Sequence, residues 1–149
     1  MKIAIIGTGG MANAHARRFK EIKGVAITAC CDIVPERAKA FAEKWGIPRQ
    51  YTDYEELLDS EELDAVSIVT VDAAHAPITL AAVAKGRAVL CEKPMAVTLR
   101  DARKMRDAAL AKGVVNMINF SYRNSCGLQA ASRLVADGGI GRVIHVEAS

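Results

Sequence analysis

Three groups in this 149-residue sequence have residue types and spacing suited to chemistry: the run Gly7-Thr8-Gly9-Gly10-Met11-Ala12, the acidic residue Asp32, and Lys93 within Glu92-Lys93-Pro94. In the run, the first glycine permits a tight turn. The second lets backbone N–H groups and a helix N-terminus approach a pyrophosphate, an anion that the positive end of the helix dipole favours. Alanine at the third motif position is small enough for close packing. The run follows a short apolar segment and opens a helix, and Asp32 ends the next apolar segment twenty positions beyond Ala12. A carboxylate so placed accepts hydrogen bonds from adenosine ribose hydroxyls. Its charge would repel a 2′-phosphate, which favours NAD over NADP, although Arg37 is near enough in sequence to help a phosphorylated cofactor. The plain alternative is that Asp32 only caps a turn before Pro35.

Lysine beside proline is common on solvated turns, and the tripeptide gains meaning from its position. Ala88-Val89-Leu90-Cys91 reads as a buried strand that delivers Glu92-Lys93-Pro94 to its carboxyl end. Ligands of open parallel sheets bind beyond such ends. Pro94 also biases the backbone at Lys93 toward extended conformations. A lysine desolvated beside an oxidised nicotinamide would have its pKa lowered, and it would then take a hydroxyl proton as hydride leaves the same carbon. Glu92 would orient the amide or the lysine.

The elements that must position these groups alternate along the chain. Lys2 to Ile6 reads as a buried parallel strand, followed by a helix from about Gly10 to Ile22 and a strand from Val25 to Cys31. Pro35 opens a helix whose Ala38, Phe41, Ala42 and Trp45 recur at helical spacing before Gly46 stops it. A short extended piece lies near Gln50-Tyr51, and Thr52-Asp53-Tyr54-Glu55 reads as a capping box for a small helix carrying Leu57 and Leu58. Ala65 to Thr70 is a strand, Pro77 to Ala84 a helix stopped by Gly86, and Ala88 to Cys91 a strand. Thr98 and Asp101 cap a helix reaching Ala111 and ended by Gly113, and Val114 to Asn119 is the sixth strand. Six strands interleaved with helices predict an α/β fold, a Rossmann-like doubly wound parallel sheet with helices on both faces. Beyond Phe120 the pattern changes to a helix from Ser125 to Asp137 and an alternating strand from Arg142 to Ala148. A lone strand cannot bury its apolar face. The 149 residues therefore read as the front portion of a longer protein or as a domain that must borrow a partner, with 1–120 expected as a dinucleotide-binding domain and 121–149 as a linking helix and a strand.

Composition narrows the function classes. Hydrophobic residues make up 51% and charged residues 25%, as in an ordinary globular domain, and a net charge of +3 is too small and dispersed to argue for nucleic acid. Arg17, Arg18 and Lys20 share a helix face with Glu21. Cys30, Cys31, Cys91 and Cys126 show no metal-ligand spacing, so no metal is expected, and three of them lie in apolar runs where cysteine acts as a small hydrophobe. No signal peptide and no long apolar span is evident, which points to a cytoplasmic location with reduced thiols and no membrane partner.

At this point the sequence resembles the glucose-fructose oxidoreductase, inositol dehydrogenase and MocA family of NAD(P)-dependent oxidoreductases. The resemblance rests on the glycine run, Leu63-Asp64-Ala65-Val66-Ser67-Ile68-Val69-Thr70 with His75 following, Gly86 through Pro94, and Gly138-Gly139-Ile140-Gly141-Arg142-Val143. It implies a dehydrogenase acting on a hydroxyl carbon of a sugar, polyol or related small molecule, with NAD as cofactor and a homo-oligomeric assembly. Lys93 then matches the catalytic lysine, Glu92 a cofactor-contacting acid, Thr70 a backbone contact to the cofactor, and Asn119 a position near the nicotinamide pocket. His75 matches a residue at a helix start, either a cap or a cofactor contact. The chain departs from the pattern at Thr70-Val71-Asp72, which lacks the proline usual after the threonine. It also lacks most of the C-terminal α+β substrate-holding domain of family members, whose first strand the run from Arg142 resembles. By that resemblance 121–149 is expected to be a linking helix and the first strand of a truncated domain, and the 149-residue form alone is expected to be inactive. Two other readings use the same glycine run: an S-adenosylmethionine-dependent methyl transferase, which gives no reason for Glu92-Lys93-Pro94, and a non-catalytic NAD-sensing module.

Overall fold

A computed structural model describes residues 1–147. It divides into two units, Met1–Asn119 and the residues from Phe120 onward.

The first unit is built on six parallel strands in the order β3-β2-β1-β4-β5-β6. These are β1 Lys2–Ile6, β2 Ala26–Cys31, β3 Arg49–Tyr51, β4 Ala65–Ile68, β5 Ala88–Glu92 and β6 Asn116–Asn119. The connecting helices are α1 Gly10–Glu21, α2 Pro35–Trp45, α3 Tyr54–Ser60, α4 Asp72–Ala84 and α5 Leu99–Lys112. Residues of β1 alternate between two apolar clusters. Ile3 and Ile5 pack with Ala12, Ala16 and Phe41 on one face, while Ala4 and Ile6 pack with Leu57, Ile78 and Met105 on the other. A strand covered on both faces has no solvent side, which is why the central segments read as continuous apolar runs rather than alternating ones. The strand order reverses between β1 and β4, and the carboxyl ends of β1, β2 and β4 open together at that point.

Most sequence expectations match these elements within a residue or two, and three do not. The helix expected from Pro77 begins at Asp72, with Pro77 inside it. Proline there withholds only the bond to the Ala73 carbonyl, and a burial stripe through His75, Ala76, Ile78, Thr79, Ala82 and Val83 holds the helix against the sheet. The cap of α3 is Asp53 rather than Thr52, its carboxylate accepting the Glu55 N–H at 2.7 Å. The strand expected from Arg142 to Ala148 is absent over 142–147, where the backbone has no regular structure, and Ala148 lies outside the described residues. Within its own unit that segment finds no partner strand to hydrogen-bond, and an unpaired strand does not persist in water.

The second unit holds one turn of 3-10 helix, Ser121–Asn124, and α6, Cys126–Ala136. Ser125 caps α6 by accepting the Leu128 N–H at 3.2 Å, and its apolar residues Leu128, Leu134 and Val135 are exposed within the chain.

Candidate functional site

The glycine run forms the turn between β1 and α1. Gly7 has φ +91°, and a Cβ there would stand 2.4 Å from the Val69 carbonyl oxygen, so the turn can pass against β4 only with glycine. Its N–H donates to the Cys31 carbonyl at 2.8 Å, tying the turn to β2 as well. Gly9 is the N-cap of α1 and supplies no capping side chain, so the first-turn N–H groups have no side-chain partner. A Cβ at Gly9 or Gly10 would meet nothing within 4 Å. The turn is thus closed toward the protein at Gly7 and open at Gly9 and Gly10.

That open side belongs to a groove of about 400 Å³ at the switch point of the sheet. Among the residues singled out from the sequence, Gly7, Gly9, Gly10, Met11, Asp32, Arg37 and Thr70 line it. Ile33 and Val71, 87% and 74% exposed, stand in the same lining and offer apolar surface that a flat aromatic base would cover. Sequence reading passed over both; the available signal was an isolated aliphatic residue directly after Asp32 and after Thr70, in loops with no core periodicity.

Asp32 follows the end of β2 and is buried. Its Oδ2 accepts the Thr8 N–H at 2.9 Å and the Thr8 hydroxyl at 2.8 Å, and its Oδ1 accepts the Val34 N–H at 3.0 Å. Burial works against its ionised form, but these three bonds and the positive charge of Arg37 hold the carboxyl below the usual range. The turn-capping role before Pro35 is therefore present, and Asp32 also anchors the glycine turn, while Oδ1 keeps lone-pair capacity for a further donor. Thr8 is buried beneath the turn and outside the groove lining.

The remaining residues gather at the ends of β5 and β6. Lys93 is exposed, with its backbone N–H donating to Glu92 Oε2 at 3.2 Å; its ammonium makes no ion pair among the described residues. The Lys93–Pro94 peptide is cis. Glu92 is 6% exposed and accepts at Oε1 from the Asn119 amide at 2.6 Å and from His15 Nε2–H at 2.8 Å. Burial would raise this carboxyl, yet the bonds from Asn119, His15 and the Lys93 N–H bring it below its ordinary value. His75 is fully buried; Nδ1–H donates to the Pro94 carbonyl at 2.7 Å, and Nε2 lies 3.3 Å from the Thr70 carbonyl oxygen. Its ring is engaged with two loops rather than open to the groove.

Sequence reading missed His15 and Ser67. His15 Nδ1 lies 2.8 Å from the Ser67 hydroxyl, and both residues are buried. Ala12, His15, Ala16 and Phe19 fall on one face of α1, so a polar ring in an otherwise apolar stripe was the visible signal.

The groove fits a dinucleotide on these grounds: a turn whose open side is bounded by two glycines, an uncapped helix N-terminus facing it, a carboxylate at the next strand end, and apolar walls. Among the described residues no cluster of three or more His, Cys, Asp or Glu side chains is arranged to hold a metal ion, and no helix is long and apolar enough to cross a membrane. All four cysteines are free.

Comparison with known proteins agrees with this geometry. Residues 1–120 match the model of an oxidoreductase family described by its NAD-binding Rossmann fold. The D-apiose dehydrogenase of Paraburkholderia graminis is 38% identical over 140 residues, covering 94% of this chain and 37% of the relative. The inositol 2-dehydrogenase of Salmonella typhimurium is 33% identical over 149 residues, covering 98% of this chain and 44% of the relative. Among solved structures, an oxidoreductase from Agrobacterium radiobacter in complex with NAD+, L-tartaric acid and magnesium superposes with a TM-score of 0.88 at 31% identity, covering 95% of this chain and 42% of that one. The chain thus spans less than half the length of these relatives.

Proposed function

The chain belongs to the glucose-fructose oxidoreductase, inositol dehydrogenase and MocA family, whose Rossmann fold binds NAD, and from that membership we propose that it serves a dehydrogenase acting on a hydroxyl carbon of a sugar, polyol or related small molecule. The observation that carries this reading is the delivery of Lys93 by β5 to the same sheet edge that the glycine turn occupies after β1.

In this reading Gly7, Thr8, Gly9, Gly10 and Met11 form the pyrophosphate turn, and Asp32 and Arg37 meet the adenosine ribose, with NAD preferred over NADP. Thr70 and Asn119 bound the nicotinamide end, and His75, Glu92 and Lys93 complete the cofactor's surroundings. When bound, NAD supplies the hydride acceptor. Lys93 is the acid-base group: its exposed ε-amine, bearing no ion pair among the described residues, takes the proton from the substrate hydroxyl during oxidation and returns it during reduction. Glu92 holds the lysine backbone through the Lys93 N–H. Residues 1–120 act as the dinucleotide-binding domain and 121–149 as a segment that links it to a substrate domain. The protein works in the cytoplasm as a homo-oligomer, on a small-molecule substrate and without nucleic-acid or membrane partners.

The test is Lys93→Met in the natural full-length protein, assayed over a panel of sugars and polyols. NAD reduction should fall by about a hundredfold or more, the usual contribution of a positioned acid-base group, with NAD binding retained. Turnover that survives the substitution overturns the role.

A further inference from the structure

Glu92-Lys93-Pro94 is gripped on both flanks by buried histidines carried on the two helices that start at the groove. His15 comes from α1, whose first residues Gly10 and Met11 line the groove, and it donates to Glu92. His75 comes from α4, donates to the Pro94 carbonyl, and keeps its other ring nitrogen 3.3 Å from the carbonyl oxygen of Thr70, a groove residue. Glu92 in turn accepts the Lys93 N–H, so the lysine backbone is fixed from both neighbours while its side chain stays exposed. Burying polar groups is costly unless they are paired. Among the described residues eight polar or charged side chains are buried, and six of them, Thr8, His15, Asp32, Ser67, His75 and Glu92, secure either the glycine turn or this tripeptide. Polar burial in this fold is concentrated on holding those two features.

We propose that His15 and His75 are positioning residues, a paired brace that fixes Lys93 relative to the loops seating the dinucleotide. The proposal rests on the reading of Lys93 as the group beside the nicotinamide. Neither histidine touches reacting atoms; each acts through Glu92 or Pro94. A packing role would require only ring volume, whereas a brace requires a particular nitrogen on each ring: Nε2 of His15 and Nδ1 of His75. Amide side chains separate the two roles, because an asparagine amide nitrogen stands as many bonds from Cβ as Nδ1, and a glutamine amide nitrogen as many as Nε2. His15→Gln and His75→Asn keep the donor facing the tripeptide. His15→Asn and His75→Gln remove it and keep a polar side chain.

The experiment measures the acetylation rate of Lys93 by sulfo-N-hydroxysuccinimide acetate, by peptide mass spectrometry on the 149-residue chain, with and without saturating NAD+. Exposed Lys39 and Lys104 serve as references in the same sample. NAD+ should slow Lys93 acetylation in the unsubstituted chain, and His15→Gln and His75→Asn should retain that protection. His15→Asn and His75→Gln should lose it by about fivefold, the population change that one lost hydrogen bond permits, with each variant held at NAD+ saturation as checked by calorimetry. Retained protection in all four variants, or loss that ignores the position of the amide nitrogen, overturns the brace alone. No protection of Lys93 in an unsubstituted chain that binds NAD+ overturns the placement of Lys93 on which the brace rests.

Discussion

Asp32 Oδ2 takes both the backbone N–H and the side-chain hydroxyl of Thr8, at 2.9 and 2.8 Å, so the carboxylate that ends β2 also locks the glycine turn after β1. Thr8→Val removes the hydroxyl bond and leaves the backbone one. It should cost about 1 kcal/mol of stability, measured by urea unfolding, and raise the Asp32 carboxyl toward its ordinary value. A variant as stable as the parent would mean that the hydroxyl bond contributes nothing.

The same carboxylate should govern cofactor choice. Asp32→Ala removes the negative charge that would face a 2′-phosphate and leaves Arg37 in the groove lining. Titration of the variant should show weaker NAD+ binding and a narrowed gap between NAD+ and NADP+. An unchanged preference would show that Asp32 does not read the ribose.

Gly7 and Gly9 should respond unequally to the same substitution. Gly7→Ala forces a side chain to φ +91° and against the Val69 carbonyl, so thermal unfolding should show a loss of at least about 2 kcal/mol. Gly9→Ala meets open space and should cost less than about 1 kcal/mol, the scale of an N-cap change. Equal losses at the two positions would contradict the one-sided turn.

Acid should weaken the fold through Asp32 and Glu92. Both carboxyls are held below their ordinary values, so the unfolded chain binds their protons first as pH falls. Their contribution is complete above the ordinary carboxylate range and disappears as pH drops through the lowered folded values. Removing the Asn119 donor with Asn119→Leu should lift the Glu92 carboxyl and shrink its share of that pH dependence, seen as a flatter acid limb in unfolding free energy.

At the alkaline end the thiols act in the opposite sense. Burial raises Cys30 to about 11, Cys31 to about 12 and Cys91 to about 11, with the charge of Asp32 adding to the first two. The folded chain keeps these protons above pH 9 where the unfolded chain loses them, so stability should fall as pH rises past the ordinary thiol range. Native alkylation with iodoacetamide should label exposed Cys126 and spare the other three, with all four reacting after denaturation. Native labelling of Cys91 would contradict its place in the core.

The doubly wound sheet was legible because its central strands are apolar on both faces and β1, β2 and β5 are followed within a few residues by glycine or proline. The glycine turn and Asp32 were legible because their spacing encodes a local strand-turn-helix-strand unit. The start of α4 was not, because a proline reads as a helix opener when its distance from the true N-terminus is unknown. The cap of α3 was off by one because Thr52 and Asp53 are both good caps and only backbone geometry chooses between them. The His15 cluster was hidden for a different reason. Periodicity shows that His15 faces inward, but its partners Ser67 and Glu92 lie 52 and 77 positions away, and only the pairing of β1, β4 and β5 brings them together.

The central claim is that the groove beside the glycine turn seats NAD, and calorimetric titration of the 149-residue chain with NAD+ tests it most directly. One NAD+ should bind per chain, and Gly9→Ala, which leaves the fold intact but projects a methyl into the open side of the turn, should weaken it by about tenfold or more. Absence of binding by both NAD+ and NADP+, or undiminished binding in Gly9→Ala, would contradict it.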